Sequence, residues 1–245
     1  MLVSTQGLVL HTTPYSESSV VAKVFTRQMG VRSYIVKGVR GRSARVKQNL
    51  LQPLTSLDMV VYDNHHNELN HIKELSPRHP QQPSEPIANA LRFFMTEVLY
   101  KTLREEEPMQ ELWDYVESAD CGLEMKNEDL ISSFHTPQSS LPIVFMLKVA
   151  HYMGIAPMDN HSAQTPYFCL EEGRFVGTQN DTSLSASLST TLHNYLQSYN
   201  SDVATPHATL RERTDLVNAL IAYFQMHLSG FRNFTSHEIL HSVLR

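Results

Sequence analysis

Cysteine is nearly absent from this sequence. Its 245 residues hold two, Cys121 and Cys169. Two well-separated cysteines make neither a disulfide framework nor a CxxC metal knuckle. They suit a reducing compartment, so a cytoplasmic location is expected. Long apolar runs are also missing. The densest stretch, residues 143–147, is broken by Lys148, whereas a membrane-spanning helix needs roughly 18 or more apolar residues in a row. The opening MLVSTQGLVLHTT has no basic segment ahead of an apolar run, so no secretory signal is expected. Repeats and low-complexity tracts are absent, and no GK[ST] stands where a Walker loop needs it. No Ser-His-Asp or paired-carboxylate constellation can be argued from spacing, and no cofactor motif is present. With 41% apolar residues the chain can nevertheless build a substantial core.

Acid is missing from one long stretch. Residues 18–57 contain no Asp or Glu and eight cations: Lys23, Arg27, Arg32, Lys37, Arg40, Arg42, Arg45 and Lys47. The overall charge of −5 hides this asymmetry: residues 1–80 sum to +5 and residues 81–245 to −10. An ordinary solvated surface mixes its signs. A one-signed stretch points to a polyanion partner.

The first 75 or so residues read as β structure. Leu8-Val9-Leu10 forms a strand, and Thr13-Pro14-Tyr15-Ser16 favours a turn. Residues 19–26 are rich in β-branched side chains, and Gly30 ends a hairpin connection to a strand over 31–39. Residues 54–62 and 69–75 supply two more strands. Five short strands fit an OB-fold barrel. Four prolines in SPRHPQQPSEP mark a linker. Beyond it the period turns helical, from Ile87 through Leu103, then over 109–119, 141–153, 184–199 and 209–228. Residues 167–177 suggest a small hairpin. Thr209 to Glu212 and Thr235 to Glu238 read as capping boxes, the second opening a short final helix. The expected organisation is α+β: an OB-fold barrel over 1–76, a linker over 77–86 and a mainly α-helical domain over 87–245.

The cations of 18–57 are the leading candidate site, because Lys and Arg displace counterions from phosphates. Tyr34 lies two residues from Arg32 and so shares its face of the strand, where a ring can stack on an unpaired base. Tyr15, Phe25 and Tyr62 are further aromatics, each of which can equally fill the barrel core, Phe25 above all. Gly38-Val39-Arg40-Gly41 matches a KH-domain GxxG by letter, but strand-like sequence precedes it where a helix is required. His237-Glu238-Ile239-Leu240-His241 is a literal HExxH. On a helix it aims two imidazoles at one zinc. No Asp, Glu, His or Cys follows His241 to complete the ligand set, and Glu238 has a capping role, so no metal is expected there.

Gly7-Leu8-Val9-Leu10, Tyr15-Ser16-Glu17-Ser18-Ser19, Phe25-Thr26 with Gly30, Lys37-Gly38 with Arg40, and Gln52-Pro53-Leu54 form a specific set. Together they resemble the start of the RecO family of bacterial DNA-repair and recombination mediators. The likeness is strong over about the first 75 residues. It continues more loosely through Gly154-Ile155-Ala156-Pro157 to residues 231–244. It implies a non-enzymatic protein that binds single- and double-stranded DNA and anneals complementary strands. It implies partnership with RecR and with the acidic, aromatic-ended tail of single-stranded DNA-binding protein, so that RecA can load, and nucleoid association when engaged on DNA. Many members carry a four-cysteine zinc site in the helical domain. Here Tyr167-Phe168-Cys169-Leu170 offers Cys169 alone, so apolar packing around Phe168, Leu170 and Phe175 is expected instead. For the partner tail the candidates are Phe145 and Lys148 in the apolar 141–153 helix, with Arg211 and Arg213, cations placed against a helix dipole. A stand-alone nucleic-acid-binding OB protein is the alternative, and a zinc metallopeptidase built on 237–241 a more distant one.

Overall fold

The computed structural model describes residues 2–39, 48–64, 68–79, 85–104, 107–124, 140–201 and 206–243. The chain forms two compact units. The first takes in the N-terminal strands and residues 103–124; the second takes in 86–102 and the chain beyond residue 124.

In the first unit, β1 (Leu2–Pro14), β2 (Ser19–Thr26), β3 (Gly30–Lys37), β4 (Ser56–Tyr62) and β5 (Asn70–Pro77) close into a barrel in the order β1-β2-β3-β5-β4. All pairings are antiparallel except β3 with β5. This is the five-stranded Greek-key arrangement of an OB-fold. Alternation does the sorting. Val20, Ala22 and Val24 of β2 face Tyr34 and Val36 of β3, Val9 of β1, and Leu57, Met59 and Val61 of β4 in one interior cluster. Gly7 is required where the strands converge: a Cβ there would lie 2.5 Å from Val24 Cγ1 and 2.6 Å from Met59 Cε. Gly30 turns the β2–β3 hairpin at φ +68°, with the Glu107 backbone 2.5 Å from where a Cβ would stand.

Helix α1 (Pro86–Thr102) belongs to the second unit, but α2 (Gln110–Glu124) returns to the barrel. This departs from the expected single helical domain over 87–245. The reason lies in polar contacts across long sequence separations. Trp113 Nε1–H donates to the Phe25 carbonyl at 2.9 Å, Asp114 grips Arg27, and Glu117 accepts from Ser56 and Arg78.

The second unit also contains α3 (Leu141–Tyr152), β6 (Tyr167–Cys169), β7 (Arg174–Val176), α4 (Ala186–Ser201), α5 (Leu210–His227) and α6 (Ser236–Val243). Helix α3 is buried on nearly every side, as its unbroken apolar sequence demands. Thr209 and Glu212 close the capping box of α5. The amides opening α6 are held from elsewhere: Glu97 of α1 accepts from Thr235 N at 3.1 Å and Ser236 N at 2.7 Å. Phe168 and Phe175 pack edge to face at 5.1 Å within the β6–β7 hairpin, and Leu170 is buried beside them. Cys169 is fully buried, its Sγ 3.4 Å from Thr182 Oγ1.

Candidate nucleic-acid interface

Strand register decides which cations the barrel turns outward. Because Val24, Tyr34 and Val36 face the interior, Ser19, Val21 and Lys23 of β2 and Ser33, Ile35 and Lys37 of β3 face outward. Lys23 stands opposite Ser33 on one side and His11 on the other; Lys37 stands opposite Ser19. Lys37 is exposed and makes no ion pair among the described residues. Helix α2 covers the far end of the outer surface, over Phe25; toward the other end Lys37 is exposed and Lys23 half-buried, while Ser19 and Ile35 are covered. Segment 40–47 follows β3 after Gly38 and Val39. Arg40, Arg42, Arg45 and Lys47 lie outside the described residues.

Three members of the sequence-based set stand elsewhere. Tyr34 is 0% exposed and fills the barrel interior, so it offers no face to a base. Burial is also the main cause pushing its phenol pKa upward. The shared face of Arg32 and Tyr34 is therefore the inward one, and Arg32 is itself buried. Arg27 meets Asp114 through a two-pronged contact, Nε to Oδ1 at 2.8 Å and Nη2 to Oδ2 at 3.0 Å. The Asp114 hydrogen bond and charge hold the guanidinium pKa above its usual value. Its cation also lies 5.9 Å from the Trp113 ring centroid, as does that of Arg78. Arg27 thus ties α2 to the barrel. Neither Asp114 nor His11 was visible as a neighbour from sequence, because each is set by contacts across strands or across 87 residues.

Exposed aromatics flank Lys37. Tyr15, in the β1–β2 turn, is 57% exposed and Tyr62, the last residue of β4, is 52% exposed. Phe25 is fully buried.

The cations of the helical unit are drawn into local contacts. Lys148 Nζ lies 5.8 Å from the Tyr152 ring centroid, and Arg211 is 3.8 Å from Asp215. Phe145 is 0% exposed, so a pocket containing its ring, expected from sequence, is closed off by α3's own burial. Arg213 hydrogen-bonds the Ala208 carbonyl and borders a small apolar pocket with Pro142, Leu210, Val217, Leu240 and His241. The histidines of the HExxH pattern sit on an aromatic stack. Phe231 stacks on Phe234 at 5.1 Å, Phe234 on His237 at 5.7 Å, and His237 meets His241 edge to face at 5.6 Å. Among the described residues no group of three or more His, Cys, Asp or Glu is placed to hold a metal ion. Nor is any helix among them long and apolar enough to cross a membrane.

Residues 1–81 match the family profile described as Recombination protein O N terminal. Over the whole length the chain is similar to proteins named DNA repair protein RecO. It is 26% identical to that of Christiangramia forsetii over 247 residues, covering 99% of both chains. It is 28% identical to that of Flavobacterium psychrophilum over 253 residues, again 99% of both. The Flavobacterium johnsoniae protein is 28% identical over 247 residues with the same coverage. Residues 1–81 thus carry the N-terminal profile of the RecO family, and the whole chain is similar to proteins of that name. The family profile covers the barrel, where the outward lysines lie, and the similarity to the relatives runs on through both units.

Proposed function

We propose that the chain is a DNA repair and recombination mediator that binds single-stranded DNA across the open face of β2 and β3 and anneals complementary strands. The observation that carries this is the outward placement of Lys23 and Lys37 on an OB-type barrel whose residues 18–57 contain no acid. Such a surface attracts phosphate without reading sequence. In this reading the protein works without a catalytic centre. It acts with RecR to load RecA onto DNA coated by single-stranded DNA-binding protein, and it also engages duplex DNA. Lys23, Lys37 and the four cations of 40–47 make six phosphate contacts. Six contacts at ~0.7 each correspond to a log–log salt slope of about −4. Annealing of complementary oligonucleotides, with and without cognate single-stranded DNA-binding protein, tests the reading. Acceleration in both conditions, with a steep salt dependence of binding, is expected. No acceleration in either condition rejects it.

For the partner tail, Arg213 is the candidate cation carried forward, since the Phe145 ring is fully buried. The hollow beside Arg213, about 20 Å³, is too small for an aromatic ring, so Arg213 would meet the tail's carboxylates and not its aromatic end. Fluorescence anisotropy with a labelled tail peptide should show binding that Arg213→Glu weakens and Lys148→Glu leaves in place. Equal loss in both variants counts against this placement.

A further inference from the structure

Single exposed aromatics on a protein surface need no explanation. Tyr15 and Tyr62 differ because of where the register puts them. Tyr15 N–H donates to the Ser19 carbonyl at 3.0 Å, and Ser19 is the cross-strand partner of Lys37. On the other side, Tyr62 pairs with His71 of β5, and His71 pairs with Ile35 of β3, two residues before Lys37. Each tyrosine is therefore two strands from β3, on opposite sides of it. The two stand about four strand spacings apart, roughly 19 Å along the curved surface. Between them on the outward side lie Lys37 and His71, both exposed, and Val21, partly buried, with Ser19 and Ile35 covered; none of the five is acidic.

We propose that Tyr15 and Tyr62 are base-stacking platforms at the two ends of a single-strand track that crosses β2, β3 and β5, with Lys37 holding phosphate between them. This rests on the single-strand-binding reading above and adds to it the residues that take the bases. The chemistry is complementary: a lysine neutralises phosphate, while a half-exposed phenol ring offers its face to any base. A track spanning four strands accommodates roughly four nucleotides, the lower end of site sizes for one OB-fold. It therefore selects unstacked strands, since a base paired and stacked within a duplex is not free to stack on a side chain.

The test uses the full chain with fluorescein-labelled dT12, the same oligonucleotide made entirely abasic, and a duplex of equal length. Tyr15→Ala and Tyr62→Ala should each weaken dT12 binding by roughly 5- to 150-fold, the range of one lost base stack. Tyr15→Phe and Tyr62→Phe should bind like the wild type. Abasic and duplex binding should stay the same in every variant. Both side chains are half exposed, and an unchanged thermal melt confirms that the variants fold. Wild-type affinity for dT12 in both alanine variants overturns the stacking assignment while leaving the single-strand reading intact. So does an equal loss on abasic DNA, or failure of phenylalanine to substitute. Absence of dT12 binding by the wild type removes the reading and the assignment together.

Discussion

In the helical unit, cations are bound to their own surroundings. Lys101 reaches both Glu97 and the Arg232 carbonyl, Arg174 pairs with Glu172, Arg211 with Asp215, and Arg213 with the Ala208 carbonyl. In the barrel unit the division is sharper. Arg27 and Arg78 are held by Asp114, Glu117 and Asp58, whereas Lys37 stands exposed with no ion pair among the described residues. Net charge alone therefore overstates the interface: a cation held by the fold is poorly placed to neutralise phosphate.

Trp113 joins α2 to the barrel, with its indole fully buried and its N–H on the Phe25 carbonyl. Trp113→Ala should destabilise the barrel unit by about 3–5 kcal/mol, the usual cost of deleting a large buried aromatic. Hydrogen exchange read by peptide should speed up in β2 and β3 and leave α3 protected. Equal acceleration in both would show that the two units do not unfold separately.

The helical counterpart is Glu97. Its carboxylate accepts from two opening amides of α6 and lies 3.6 Å from Lys101. Glu97→Ala leaves those amides without their acceptor, at a cost of about 1–2 kcal/mol by analogy with lost N-caps. The urea midpoint should fall with an unchanged slope, and the Ser236 amide should exchange faster. An unshifted midpoint would mean that water replaces the carboxylate at no cost.

The contrast between Arg27 and Lys37 can be read directly in DNA binding. Lys37→Ala should reduce the magnitude of the log–log salt slope by about 0.7, one phosphate contact. Arg27→Ala should leave that slope in place, because its cation is matched by Asp114. A reversed order would mean that Asp114 releases Arg27 when DNA arrives.

Local chemistry made much of this architecture legible beforehand. The 19–26 strand, the Gly30 turn, the Thr209 capping box and the 167–177 hairpin rest on neighbouring residues, and each is found. What escaped depends on contacts far along the chain. Alternation placed Arg32 and Tyr34 on one face correctly, but which face is interior depends on closure by β4 and β5. Helical periodicity identified α2, but its attachment to the barrel follows from Asp114 and Glu117 meeting Arg27, Ser56 and Arg78. The same limit hid Glu97, which caps a helix 138 residues away.

The smallest effect concerns His241, a partly buried imidazole of the helical unit. Burial, then the neighbouring His237, lowers its pKa below the ordinary histidine value. A histidine whose folded pKa is depressed is protonated more readily in the unfolded chain. Its contribution is therefore fully present above the unfolded pKa of about 6.5 and is lost as pH falls through the lower folded value. Urea unfolding followed between pH 7.5 and 5 should show stability declining on the acid side, with part of the decline removed in His241→Gln. The substituted chain should also unfold more readily at pH 7.5, because glutamine fits poorly beside Leu240 and Val217, so the diagnostic is the slope against pH and not the absolute midpoint. A wild-type slope retained in His241→Gln would assign the acid loss to other groups and leave His241 as a packing residue beside the phenylalanine stack.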